Sequence, residues 1–236
     1  NLILKDIDTF WKSEESYNKY QRVYRRNYLL YSAPGTGKTS LINIMCKDLI
    51  DLYNGIVIPL NSEDEICLFV DAVRRIRRIE GERKIIAIIE DIDNFVGDGS
   101  RSSKLDTLIL NILDGNFKMS NVVIIATTNY IERLENRYKN RPSRFDRVVE
   151  FPLPNDDSRR IFIEKTILKE DLEKINLDYW VARTEGYTID HINELILLYF
   201  VYGHSEEDAF NTMDSMLNRN NRLTNKTSVV GKKIGF

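Results

Sequence analysis

The chain is poor in the residues that staple or ligate. Its 236 residues include two cysteines and two histidines. Cys46 and Cys67 lie in apolar helical segments and read as two buried reduced thiols, not as a redox pair. His191 and His204 belong to no Cys/His cluster of metal-ligand spacing, so no zinc site is expected. Apolar runs are short. The longest, residues 195–201, falls far below the roughly 20 residues of a membrane span. The opening Asn1-Leu2-Ile3-Leu4-Lys5 has no basic stretch before a long apolar core, so no signal peptide is expected. An initiating Met is also missing, as it would be in a piece of a longer protein. Excess charge is missing too. Lys and Arg number 34 against 36 Asp and Glu, a net −2, which exerts no global pull toward nucleic acid or membrane. These absences fit a soluble protein of a reducing, cytoplasmic compartment.

What is present is ordinary globular material, 42% hydrophobic and 30% charged. The length suits one large domain with a small companion. Short β-branched apolar runs at residues 28–31, 56–60, 85–89, 122–126 and 148–151 predict five buried strands. Helical periodicity separates them, at residues 40–53, on the stripe Ile66, Phe69, Val70, Val73 and Ile76, and on Leu105, Leu108, Ile109 and Leu113. The alternation predicts an open, parallel α/β sheet flanked by helices. Pro152-Leu153-Pro154-Asn155-Asp156-Asp157 marks a boundary, and the β signal stops there. Helices are expected at 158–168, 177–184, 189–201 and 206–219, as a small helical lid. The expected division is a leading segment 1–27, an α/β domain 28–154, the helical lid 155–217 and a polar tail 218–236.

The first strand runs into Ser32-Ala33-Pro34-Gly35-Thr36-Gly37-Lys38-Thr39, with Ser40 opening a helix. Strand, glycine turn and helix N-terminus together make a nest of inward-pointing amides for phosphate oxygens. Gly35 and Gly37 remove Cβ obstruction. Lys38 is placed to reach β- and γ-phosphates, and the Thr39 hydroxyl to hold Mg²⁺. The third strand ends in Glu90-Asp91. Ligands of open α/β sheets sit beyond the carboxyl ends of the strands. One carboxylate would therefore support Mg²⁺ and its neighbour would polarise an attacking water. Asn129, after the fourth strand, can hold that water. Arg141-Pro142-Ser143-Arg144-Phe145-Asp146-Arg147 carries three arginines. In a ring, Arg141 and Arg144 could reach the γ-phosphate of a neighbouring subunit. The plainer reading is local ion pairs with Asp146 or Asp93.

In order and spacing these motifs resemble the AAA branch of the AAA+ ATPases. Tyr24-Arg25-Arg26-Asn27-Tyr28-Leu29-Leu30-Tyr31, the Glu90-Asp91 order and Thr127-Thr128-Asn129-Tyr130 are most similar to the mitochondrial Rieske-protein translocase group. The resemblance implies ATP hydrolysis with Mg²⁺ in a homo-oligomeric ring of six or seven subunits. It implies a remodelling, chaperone-like action on a macromolecular substrate, protein rather than nucleic acid. It assigns Pro34, Gly35, Thr36, Gly37, Lys38, Thr39 and Ser40 to nucleotide binding, Thr39 and Glu90 to the metal, and Glu90, Asp91, Asn129, Arg141 and Arg144 to catalysis.

The chain departs from the family pattern at several points. Ser32 and Ala33 stand where Gly-Pro is usual, and the paired acids run Glu then Asp. Residues 187–191 differ from the second-sensor pattern. Asn61-Ser62-Glu63-Asp64-Glu65 lacks the aromatic of a first pore loop, whereas Phe95-Val96-Gly97 matches the type at a second-loop position. Arg74, Arg75, Arg77 and Arg78 cluster on one helix. They are read either as a nucleic-acid footprint or, more plainly, as a solvated face partly paired with Glu80 and Glu82. A nucleic-acid-linked ATPase and a slow nucleotide-gated scaffold stand as alternatives.

Overall fold

Residues 2–96, 104–117, 119–134, 138 and 144–217 are described by the structure, a computed structural model. The chain divides into two compact units, one of residues 1–33 and 38–151, the other of 34–37 and 152–236.

The first unit is built on β1 (Arg25–Tyr31), β2 (Ile56–Pro59), β3 (Ile85–Ile89), β4 (Val122–Thr128) and β5 (Arg147–Glu150). The strands form one sheet in the order β2-β3-β4-β1-β5, and every pair is parallel. All seven residues of β4 are buried, as a central strand covered on both faces requires. Side chains alternate between the faces. Leu29, Ala87, Ile124 and Ala126 join one core with α4 (Glu63–Ile79) and α5 (Lys104–Asp114). Tyr28, Leu30, Ile86, Val123 and Ile125 join the other with α1 (Leu2–Trp11) and α3 (Lys38–Tyr53). A period of two in the strands thus feeds two helix layers.

Two elements extend beyond their expected bounds. β1 starts at Arg25, because Arg25, Arg26 and Asn27 pair with Val122, Val123 and Ile124. β4 continues to Thr128, which is opposite Tyr31. The leading segment is structured. α1 buries Ile3, Ile7, Phe10 and Trp11, and α2 (Glu14–Lys19) follows it. The Phe10 ring meets those of Trp11, Tyr17 and Tyr24, and the Tyr24 hydroxyl donates to the Phe10 carbonyl at 2.7 Å. Asp6 accepts from Arg26 Nη2 at 2.9 Å and from the Tyr28 hydroxyl at 2.7 Å, which ties α1 to β1.

Residues 61–65 lead into α4 and form its first turn. Ser62 accepts from the Glu65 N–H, and the Glu65 carboxylate accepts from the Ser62 N–H, which makes a capping box. At the other end Arg77 turns inward. Its guanidinium donates to the carbonyls of Ser120, Asn121 and Arg83. Arg74 pairs with Asp71 at 3.1 Å. The four arginines therefore do not form one uninterrupted basic face.

In the second unit, α6 (Asp156–Thr166), α7 (Lys169–Leu172), α8 (Leu177–Arg183), α9 (Ile189–Ile196) and a last helix at 206–217 enclose a core around Trp180. Asn155, Asn176 and Thr188 cap α6, α8 and α9 through their side chains. The helix expected over 189–201 changes winding at Leu197, and Leu197–Val201 forms a π-helical turn.

Candidate active site

The parallel register brings three strand ends together. Leu30 and Tyr31 of β1 pair with Thr127 and Thr128 of β4, and Ile89 of β3 pairs with Ala126 of β4. Each chain leaves the sheet at that edge, so Ser32, Glu90 and Asn129 start their loops side by side.

Lys38 opens α3, and its side chain is buried. Its ammonium donates to Asn129 Oδ1 and to Ser32 Oγ, both at 2.7 Å. The Ser32 and Ala33 carbonyls lie at 3.3 and 3.4 Å. Burial pulls the Lys38 ammonium down from the ordinary lysine value, and the carboxylates of Asp91 and Glu90 act against that pull. Asn129 turns its Nδ2 to Asp91 Oδ1 at 3.1 Å. The two neighbours set the amide's orientation, because a cation needs its oxygen and a carboxylate its NH₂. The outcome is one chain of hydrogen bonds, Ser32–Lys38–Asn129–Asp91, linking all three strand ends.

Asp91 holds a left-handed backbone, with φ 47° and ψ 55°. Such a conformation costs a non-glycine residue about 1 kcal/mol or more, and aspartate is among the side chains that tolerate it best. The Asp91 N–H is fixed by the Thr127 hydroxyl at 3.0 Å. Thr39 Oγ1 donates to Glu90 Oε1 at 3.1 Å. A hydroxyl beside a carboxylate offers two hard oxygens, a chemistry that would suit Mg²⁺. Behind this layer, Asp93 accepts from the Thr128 hydroxyl at 2.6 Å and pairs with Arg133 at 3.6 Å. Among the described residues, no group of three or more His, Cys, Asp or Glu side chains could hold a metal by itself.

The other expected site residues are placed as follows. Pro34–Gly37 fall in the second unit, and Gly35 and Gly37 have φ of 79° and 97°, a region that side-chain-bearing residues rarely adopt. Ser40 is exposed on the first turn of α3. Arg141 lies outside the described residues, as do Gly97–Ser103 and the tail from residue 218. Arg144 is buried within its own chain. Its Nε and Nη2 grip Asp114 Oδ1 and Oδ2 at 2.9 and 3.0 Å, and its carbonyl accepts from Asn27 Nδ2 at 2.6 Å. The local partner is thus Asp114, not Asp146 or Asp93. Asp146 instead accepts from the Asn27 N–H at 2.7 Å. The Ser32–Lys38 contact is not legible in the sequence, where serine at a glycine position is its one visible signal. The Thr127 anchor and the Asp114 partner leave no local sequence mark.

Comparison with known proteins agrees with this geometry. The family "ATPase family associated with various cellular activities (AAA)" matches residues 28–153, more than half of the chain. Protein HYPER-SENSITIVITY-RELATED 4 of Arabidopsis thaliana is 33% identical over 164 residues, 61% of this chain and 27% of that protein. An ATP-dependent zinc metalloprotease FtsH 2 of Sphaerobacter thermophilus is 30% identical over 216 residues, 82% of this chain and 31% of that protein. The proteasome-activating nucleotidase of Sulfurisphaera tokodaii is 32% identical over 205 residues, 80% of this chain and 50% of that protein. The chain spans half or less of the length of each of these relatives. A parallel sheet with lysine, paired acids and asparagine gathered at its carboxyl edge, joined to a helical unit and matched across its α/β part, makes this chain a member of the AAA family of ATPases.

Proposed function

We propose that the chain hydrolyses ATP with Mg²⁺ within a ring of six or seven copies and uses that work to remodel a protein substrate. The observation that carries the reading is the hydrogen-bonded chain from Lys38 through Asn129 to Asp91. It joins the phosphate-binding lysine to the residue suited to act as base. Thr39 and Glu90 would hold Mg²⁺, which when bound would supply positive charge against the charge developing on the phosphate. Lys38 offers a buried cation to the β- and γ-phosphates. Asp91 orients and polarises the attacking water, and Asn129 keeps that carboxylate and the lysine in register. The finger role falls to Arg141, and to Arg144 where ring contacts draw it from Asp114.

The protein substrate is supported by the names of two relatives, an ATP-dependent metalloprotease and a proteasome-activating nucleotidase. The nucleic-acid alternative is weakened by Arg77, whose donors are spent on backbone carbonyls.

Equilibrium binding and turnover test the reading together. Lys38→Ala should abolish MgATP binding. Asp91→Asn should keep binding and reduce turnover by a factor of 10² or more, as expected on losing a general base. An Asp91→Asn protein with wild-type turnover removes Asp91 from the base role. Stimulation by DNA at physiological salt, with none by unfolded protein, would favour the nucleic-acid alternative.

A further inference from the structure

Ser32 stands where the phosphate-loop pattern has glycine, and its side chain is engaged in the site. The hydroxyl donates its proton to the Ala33 carbonyl at 2.8 Å and so meets Lys38 as an acceptor, at 2.7 Å. It is the counterpart of Asn129 Oδ1, which takes a second ammonium proton at the same distance from just beyond β4. Both distances lie in the short range of charge-assisted hydrogen bonds, whereas the two loop carbonyls stand off at 3.3 and 3.4 Å. A lysine ammonium has three donors. Ser32 and Asn129 take two, and the third is left to the longer contacts and to a phosphate. Glycine would leave the loop side with the longer carbonyl contacts alone.

We propose that Ser32 is a positioning residue for the phosphate-binding lysine. Its hydroxyl pins the end of the flexible Lys38 stem before nucleotide arrives, so that less side-chain freedom is lost on binding. This rests on the nucleotide-binding reading above and adds to it a role for a residue the phosphate-loop pattern does not use. A device of this kind acts on ground state and transition state alike, so it moves KM and leaves kcat. Immobilising one rotamer-rich side chain corresponds to about three- to tenfold in affinity.

The test uses the full chain and the variants Ser32→Ala, Ser32→Gly and Ser32→Thr. MgATP affinity at equilibrium, KM and kcat are measured on each. A second readout needs no nucleotide: the rate of Lys38 acylation by an amine-reactive ester, read by mass spectrometry. For Ser32→Ala and Ser32→Gly, Kd and KM should rise about three- to tenfold with kcat within twofold, and Lys38 should acylate faster. Ser32→Thr, which keeps a hydroxyl, should return all three to within about twofold of wild type. Alanine and glycine variants that match wild type in affinity and acylation overturn the proposal. So does tighter MgATP binding in them, which would make the hydroxyl a competitor of phosphate, or a threonine variant as impaired as alanine. A wild-type chain that binds no MgATP overturns the nucleotide-binding reading instead, and the acylation rates still judge Ser32.

Discussion

Replacing Arg144 by alanine removes one half of an ion pair whose other half stays behind. The Arg144 side chain is 6% exposed and that of Asp114 24%. Two parallel hydrogen bonds join them. Losing one partner of a buried pair costs about 3–5 kcal/mol, because the remaining charge is uncompensated. Two features lower that figure here. Asp114 keeps some contact with water, and Arg25 lies near enough for the two charges to attract. The expected loss is therefore about 2–3 kcal/mol. For a unit of this size each kcal/mol shifts Tm by about 2–4 °C, so Tm should fall by about 4–12 °C. Thermal and urea unfolding of the variant measure this directly. Arg144→Ala combined with Asp114→Ala completes a double-mutant cycle, and the pair should cost less than the sum of the two single changes. A variant that melts within about 1 °C of wild type, yet loses turnover, would refute the bracing role and leave Arg144 with the proposed finger role alone.

Other perturbations read other parts of the molecule. Trp11→Ala should destabilise the first unit by about 3–5 kcal/mol, because the ring is buried against Phe10 and Tyr53; urea midpoints check it. A change below about 1 kcal/mol would mean that α1 adds little to the unit. His191 gives a pH signature. Burial holds its imidazole below the ordinary 6.5, so the unfolded chain binds the extra proton more readily. Stability should fall as pH drops from neutral through 6.5, down to the lowered folded value, and level off below it. His191→Gln should flatten that part of the profile, measured as urea midpoint against pH. An unchanged slope would show that His191 does not drive it.

Asn27 explains how Arg144 and Asp146 are held. It donates to the carbonyls of Leu113 and Arg144, and its backbone N–H donates to Asp146. It thereby joins β1 to the end of α5 and to the residues before β5. In sequence Asn27 is only a polar residue entering a strand, and its partners lie 86 to 119 positions away. The leading segment carries the aromatics Phe10, Trp11, Tyr17 and Tyr24, but nothing in their spacing announces α1. Phe10, Trp11 and Tyr24 declare their role only when packed on β1 and α3.

The amino-acid sequence alone determined what is local: short β-branched runs that form strands, apolar stripes of helical spacing such as Ile66, Phe69, Val70 and Val73, and adjacent lysine and threonine at the head of α3. These follow from steric preference and spacing within a few residues. Tertiary structure alone decided which groups meet across the sheet. Asn129 reaches Lys38 from 91 residues away because parallel register places the ends of β1 and β4 together. Arg144 turns to Asp114 because a buried guanidinium must find a carboxylate wherever the fold supplies one.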